Sequence, residues 1–153
     1  NGPGNITPVA EYNIYVDPEA AKIVLHSGIP ITLVGLDVTR KVLLTEEHIA
    51  ELAGSELGEF VRNCTKHYID RYSRRYGVRA CALHDPLAVG VALDRGLVGT
   101  QRLFVDVETK SELCDGQTVF DFQNRLQREP NAAVCLEVDS DRFLKMFVET
   151  LKR

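Results

Sequence analysis

No apolar run in this 153-residue chain approaches the ~18 consecutive residues that a membrane-spanning helix needs, so none is expected. A long basic block is also missing. Lys+Arg number 18 against Asp+Glu 22, a formal net charge of −4, so nucleic acid is not the expected partner. Internal repeats, low-complexity tracts and linkers are absent too. The opening stretch to Pro8 has neither a basic n-region nor an apolar h-region, unlike a signal peptide. Methionine occurs once, at Met146, while the chain begins at Asn1. A translation product normally starts with Met, so the expectation is removal of an upstream portion or origin in a longer protein.

Cysteines are few, at positions 64, 81, 114 and 135, with no CxxC and no histidine at zinc-ligand spacing. A chain of this length, 44% hydrophobic and 26% charged, can bury a core without a disulfide framework. Reduced thiols in a cytoplasmic protein are the expectation, as core filler. Cys81 and Cys135 lie within apolar runs, where such thiols usually reside.

The pattern that is present reads as α/β. Asp17-Pro18-Glu19 has the form of an N-cap, a first-turn proline and a first-turn acid, and Gly28 supplies the stop. Residues 31–36 then form a short, β-branched apolar run that suits a strand buried on both faces. Thr45-Glu46-Glu47 opens a second helix closed by Gly54, and Ser55-Glu56 starts a longer one reaching about Arg75. Asp85-Pro86 again reads as cap plus proline, ahead of a helix that is apolar all round and hence expected to be buried. Short strands follow at 103–107, 118–122 and 133–138, with turns at 114–116 and 130–131. Ser140-Asp141 caps a C-terminal amphipathic helix. The expectation is a single partial α/β domain over 1–153, with an open, mostly parallel sheet flanked by helices and short late strands.

Three groups of residues hold potential chemistry, each with a plain alternative. Asn5, Glu11 and Asn13 lie near a Gly/Pro turn. They are either turn and solvated residues, or a set of amide donors and a carboxylate acceptor for a polyhydroxylated ligand. His84 and Asp85 are either a helix start with its N-cap, or a proton donor beside a carboxylate that meets a hard cation. Tyr68, Tyr72 and Tyr76 continue a stripe from Phe60 and Cys64 at every fourth residue. That stripe is either core or a surface on which a planar heterocycle stacks. Arg71, Arg74, Arg75 and Arg79 read as a solvated helix face.

Taken in order, residues 4–13 (Gly-Asn-Ile-Thr-Pro-Val-Ala-Glu-Tyr-Asn), 17–21 (Asp-Pro-Glu-Ala-Ala), 30–39 ending in Asp-Val-Thr, and 84–88 (His-Asp-Pro-Leu-Ala) resemble the inosine–uridine-preferring nucleoside hydrolase family. Glu108-Thr109, Gly116-Gln117-Thr118 and Asp121 resemble its late strands. The resemblance spans nearly the whole chain and implies water-dependent cleavage of the N-glycosidic bond of purine or pyrimidine ribonucleosides, a reaction of nucleoside catabolism and salvage. It implies that Asn5, Glu11 and Asn13 grip the ribose hydroxyls, that Asp85 ligates an active-site calcium, and that His84 faces the base as catalytic proton donor. Tyr72 and Tyr76 fall on the segment that closes over the nucleobase in related enzymes.

The family also has an Asp-rich N-terminal motif, Asp-x-Asp-x-Gly-x-Asp-Asp, which supplies most calcium ligands and the general base. This chain has no such motif; its first carboxylate is Glu11, and it resembles the C-terminal half of a longer protein. Asp85 alone does not fill the roughly six to eight oxygen positions that calcium prefers. The expectation is a hydrolase segment inactive in isolation, partnered by its missing N-terminal half or by further copies of itself. The alternative is a non-catalytic ribose- or nucleoside-binding or assembly module built on that fold. Strand 31–36, deprived of upstream neighbours, should bare an edge or an apolar face.

Overall fold

The computed structural model describes residues 2–152. In chain order its elements begin with α1 (Tyr12–Val16), α2 (Pro18–Leu25), β1 (Thr32–Leu33), α3 (Leu36–Thr39), β2 (Leu43–Thr45), α4 (Glu46–Ala50) and α5 (Glu56–Tyr76). There follow β3 (Ala80–Ala82), α6 (His84–Leu93), β4 (Val98–Leu103), β5 (Val105–Val107), β6 (Thr118–Phe120), β7 (Ala132–Val138) and α7 (Ser140–Leu151).

Most helix ends lie where the capping chemistry puts them. Asp17 Oδ1 accepts from the Ala20 N–H at 2.9 Å, and Pro18 occupies the first turn, where its missing N–H costs nothing. Ser55 Oγ accepts from the Gly58 N–H at 3.0 Å to open α5. Gly77, at φ 73°, closes α5 in the left-handed conformation that glycine adopts without strain. The start of α6 differs from the sequence expectation. Its N-cap is Leu83, with no side-chain cap bond, so Asp85 and Pro86 lie inside the first turn. A carboxylate there still favours the helix through the dipole.

The chain forms two compact units, one comprising the segment up to Asp37 with Gly99–Glu137, the other Val38–Val98 with the segment from Val138 onward. In the first, the sheet order is β1-β7-β4, and β1 pairs parallel with β7, Thr32 opposite Ala133. Strands β5 and β6 form a separate antiparallel pair. Leu25, Leu103, Val105, Val107, Ala132 and Val134 make this unit's core. Asn131 stitches it together: its Nδ2 donates to the carbonyls of Leu25 and Val105, and its Oδ1 accepts from the Val105 N–H. Asp106 is held below the usual carboxylate range. Burial pushes it up, but hydrogen bonds from the Val107 N–H, His26 and Lys22 outweigh that.

The run 31–36 is not a strand buried on both faces. Only Thr32 and Leu33 are extended, with Thr32 exposed, because Pro30 offers no N–H and the chain turns into α3 at Leu36. The segment does lie at the sheet edge, as expected.

In the second unit, β2 and β3 pair antiparallel, Leu43 opposite Ala82 and Thr45 opposite Ala80. Leu44, Leu52, Leu87, Leu97 and Phe143 are fully buried there. Cys81 and Cys135 are buried as expected, but Cys64 is exposed, so not every thiol is core filler. Helix α6 is also not buried all round. Leu87, Gly90 and Val91 face inward, whereas Val89 is 60% and Leu93 79% exposed.

Gly90 lies against the Phe143 ring, and a Cβ there would come within 2.6 Å of Cε2. Phe143 is itself buried and has no room to retreat. Gly90→Ala should therefore cost about 1–3 kcal/mol, read as a lower urea midpoint at unchanged m-value. A second outcome concerns Cys81, whose thiol burial pushes up to about 11. The unfolded thiol, at about 8.5, loses its proton first, so stability should fall as pH rises through that interval. Cys81→Ala should flatten this alkaline loss in urea titrations compared between neutral pH and about pH 10.

Candidate active site

Glu11 organises the polar cluster of the first unit. Its Oε2 accepts from the N–H groups of Asn13 at 2.9 Å and Ile14 at 3.2 Å, which starts α1. This short helix follows the turn formed by the Gly/Pro-rich opening, in which the Gly4 N–H donates to the Pro8 carbonyl at 3.0 Å. Asn13 Nδ2 donates to Glu11 Oε1 at 3.4 Å, and Asn5 Oδ1 accepts from the Tyr12 N–H at 2.8 Å. The structure thus brings Asn5, Glu11 and Asn13 together at one helix start. A carboxylate offers about four lone-pair positions, and hydrogen bonds occupy three of them here. Among the described residues, Asn5 Nδ2 and Asn13 Oδ1 bind no further group. Donor amide, acceptor amide and carboxylate side by side match a vicinal diol, whose hydroxyls each donate and accept.

In the second unit, pairing of β2 with β3 extends to a bond from the Leu83 N–H to the Val42 carbonyl at 3.0 Å. That register brings the end of α3 beside the start of α6. His84 Nδ1 lies 2.7 Å from Thr39 Oγ1, and its Nε2 lies 3.2 Å from Tyr68 Oη. Thr39 is buried, at 2% exposure. Both ring nitrogens are therefore engaged, and the imidazole plane is fixed. In the protonated ring both nitrogens donate, to Thr39 Oγ1 and Tyr68 Oη, which leaves the Tyr68 hydroxyl proton for another acceptor.

Tyr68 continues into an aromatic row. Its ring meets Tyr72 edge-on at 6.1 Å, and Tyr72 lies 4.5 Å from Tyr76. Burial raises the phenol pKa of both Tyr68 and Tyr72, which keeps them protonated. The stripe on α5 is not core, contrary to its plainer reading. The buried residues of this helix are Gly58, Val61 and Ile69, while Phe60 is 66% and Tyr76 50% exposed. Arg75 stacks over Tyr76 at 5.3 Å. Arg71, Arg74, Arg75 and Arg79 are exposed, as the solvated reading has it, and Arg79 also pairs with Glu46 and Asp70.

Residue-type reasoning weighs Tyr68 only as part of the aromatic stripe, not beside His84, and gives Thr39 no role. The available signal was Tyr68 lying one turn before Tyr72 on the same helix face. Thr39 had none beyond its place in the 30–39 motif, since its bond depends on strand register.

Asp85 is exposed at the first turn of α6. Among the described residues no group of three or more His, Cys, Asp or Glu is arranged to hold a metal ion. A hard cation such as calcium needs roughly six to eight oxygens, so the described residues do not by themselves fit a complete calcium site. Asp85 is at most one ligand of such a shell.

Known proteins resemble the chain over almost all of it. It is 37% identical to the pyrimidine-specific ribonucleoside hydrolase RihA of Salmonella arizonae, covering 99% of this chain and 50% of that protein. It is 35% identical to the pyrimidine-specific ribonucleoside hydrolase RihB of Escherichia coli O157:H7, covering 99% and 49%. Among solved structures, a purine-preferring ribonucleoside hydrolase from Gardnerella vaginalis matches with a TM-score of 0.90 at 34% identity, over 99% of this chain and 49% of that one. A plant nucleoside hydrolase matches with a TM-score of 0.91 at 30% identity, over 99% and 50%. The chain thus spans about half the length of the curated relatives it matches. The family model for inosine-uridine preferring nucleoside hydrolases matches residues 1–145, and the chain belongs to that family.

Proposed function

We propose that the chain is part of a single α/β domain that hydrolyses the N-glycosidic bond of purine or pyrimidine ribonucleosides to ribose and base. It acts once complemented by the remaining half of the fold, or within an oligomer of such chains. The setting is nucleoside catabolism and salvage in the cytoplasm, where four free thiols persist. The supporting observation is the hydrogen-bonded chain Thr39–His84–Tyr68.

Cleavage of the C1′–N bond builds positive, oxocarbenium-like charge on the ribose, so interactions with the sugar hydroxyls that strengthen as charge develops lower the barrier. Asn5, Glu11 and Asn13 supply such contacts, with the negative Glu11 carboxylate opposite in sign to the developing charge. The departing base takes the bonding electrons and needs a proton. Protonated His84 provides it through Tyr68: the phenol proton passes to the base as Nε2 returns one to Oη, leaving neutral imidazole. Thr39 holds the ring in the orientation that this exchange requires. Tyr72 and Tyr76 present aromatic faces for the heterocycle. A family metal, when bound, would orient and acidify the attacking water, with Asp85 among its ligands.

The test is co-expression with the half of the Salmonella arizonae relative that this chain does not match, followed by assay of ribose release from inosine and uridine. Release from the assembled pair is expected, and an assembled pair without release overturns the proposal. In the active pair, His84→Ala should lower kcat by roughly 10²–10⁴-fold. Tyr68→Phe should lower kcat with KM nearly unchanged. Thr39→Val should remove the hydroxyl bonded to His84 Nδ1 and cost about 1–3 kcal/mol of stability, read from urea denaturation of the isolated chain.

A further inference from the structure

Two rows of side chains run side by side along α5. Tyr68, Tyr72 and Tyr76 form one. Arg71 and Arg75, each three residues after a tyrosine, form the other, about 60° to one side. On the opposite flank, three residues before each tyrosine, lie Thr65, Ile69 and Ser73, buried or half-buried against the fold. Both arginines are exposed, so the open edge of the aromatic row is its arginine edge. The Arg75 guanidinium is seated over the Tyr76 ring at 5.3 Å, which keeps its N–H groups beside the row. Helical spacing turns the carboxylates of Glu59 and Asp70 to the far side of α5. Burial raises the Tyr68 and Tyr72 phenols, and the charges of Arg71 and Arg40 pull against it. Guanidinium groups donate and never accept. Tyr68 also presents a donor once its oxygen accepts from protonated His84. The edge is therefore cationic and donor-only.

We propose that Arg71 and Arg75 select ribonucleosides whose base carries a carbonyl rather than an amino group on this edge, uridine over cytidine and inosine over adenosine. The inference rests on the function proposed above and names the substrate class of that same site. Uracil O4 and hypoxanthine O6 accept hydrogen bonds, whereas cytosine N4 and adenine N6, at the same ring positions, donate. An amino group against a guanidinium sets donor against donor, and both forfeit the partners they had in water. A carbonyl base gains twice. Its oxygen pairs in the bound state, and it gathers negative charge beside the guanidinium groups as the C1′–N bond breaks. A site built to hydrogen-bond one substrate group discriminates strongly against a substrate lacking it.

The experiment uses the full chain assembled with the unmatched half of the Salmonella arizonae relative. It measures kcat/KM for uridine against cytidine and for inosine against adenosine, and the binding of free uracil and cytosine by calorimetry. Wild type is compared with an Arg71→Gln, Arg75→Gln double variant, whose amides can also accept, and with the Arg71→Lys, Arg75→Lys pair, which stays donor-only. Circular dichroism checks that each variant is folded. A carbonyl preference of about tenfold or more, lost with Gln and kept with Lys, supports the proposal. Equal rates for the paired nucleosides in wild type overturn it, as does a preference that the folded Gln variant retains. Arginine-dependent binding of uracil over cytosine without ribose release defeats the proposed function and leaves the selectivity standing. Ribose release with no arginine-dependent preference does the reverse, and an assembled pair with neither release nor base binding overturns both.

Discussion

A hydroxyl buried among apolar side chains needs a partner, and Thr39 has one in His84 Nδ1 at 2.7 Å. That bond holds only because β2 and β3 pair in the register that also joins Leu83 to Val42. A slip of one residue would turn the inward side chains of the slipping strand to the other side and part the hydroxyl from the ring. The same register sets where α6 begins, and so the position of Asp85. From His84 the order passes to Tyr68 and along α5 to Tyr72 and Tyr76. One register thus governs an imidazole, a phenol and an aromatic row.

The polar cluster of the first unit is built on different physics. Glu11 serves first as a helix cap, with Oε2 committed to two backbone N–H groups. A cap fixes a carboxylate more tightly than an exposed surface position would, because its rotamer is tied to the start of α1. Asn5 is fixed in the same way through the Tyr12 N–H. The groups suited to a sugar are therefore oriented by local backbone bonds, although all three residues remain open or partly open to solvent. Orientation without deep burial suits groups that must meet a ligand and also release it.

Much of this was legible in the sequence where chemistry is local. Asp17 and Ser55 mark helix starts because a cap depends on residues within one turn. The Asn5, Glu11 and Asn13 cluster was found for a similar reason, its members being close along the chain. Reading failed where the answer depended on what lies opposite. Asp85-Pro86 has the form of a cap, yet the bond between Leu83 and Val42 carries the helix start back to His84. The run 31–36 is apolar enough for an interior strand, but it has a pairing partner on one side alone. The α5 stripe follows a helical period, as a core face does, while the burial falls on Val61 and Ile69 instead. Periodicity identifies a face; whether anything covers it is a tertiary matter.

Asn131 works as a piece of displaced backbone, one amide meeting two carbonyls and one N–H. Upstream, both Asp121 oxygens are committed to the N–H groups of Arg125 and Leu126. Between these anchors, residues 122–130 are all exposed. The sheet meets this segment only near its base and through long side chains, with Arg102 donating to the Pro130 carbonyl and Arg128 lying over the Phe104 ring. Insertions, deletions and drift can accumulate at the segment's tip while Asn131 stays fixed, so evolutionary change there reports on lineage and surface rather than on the core.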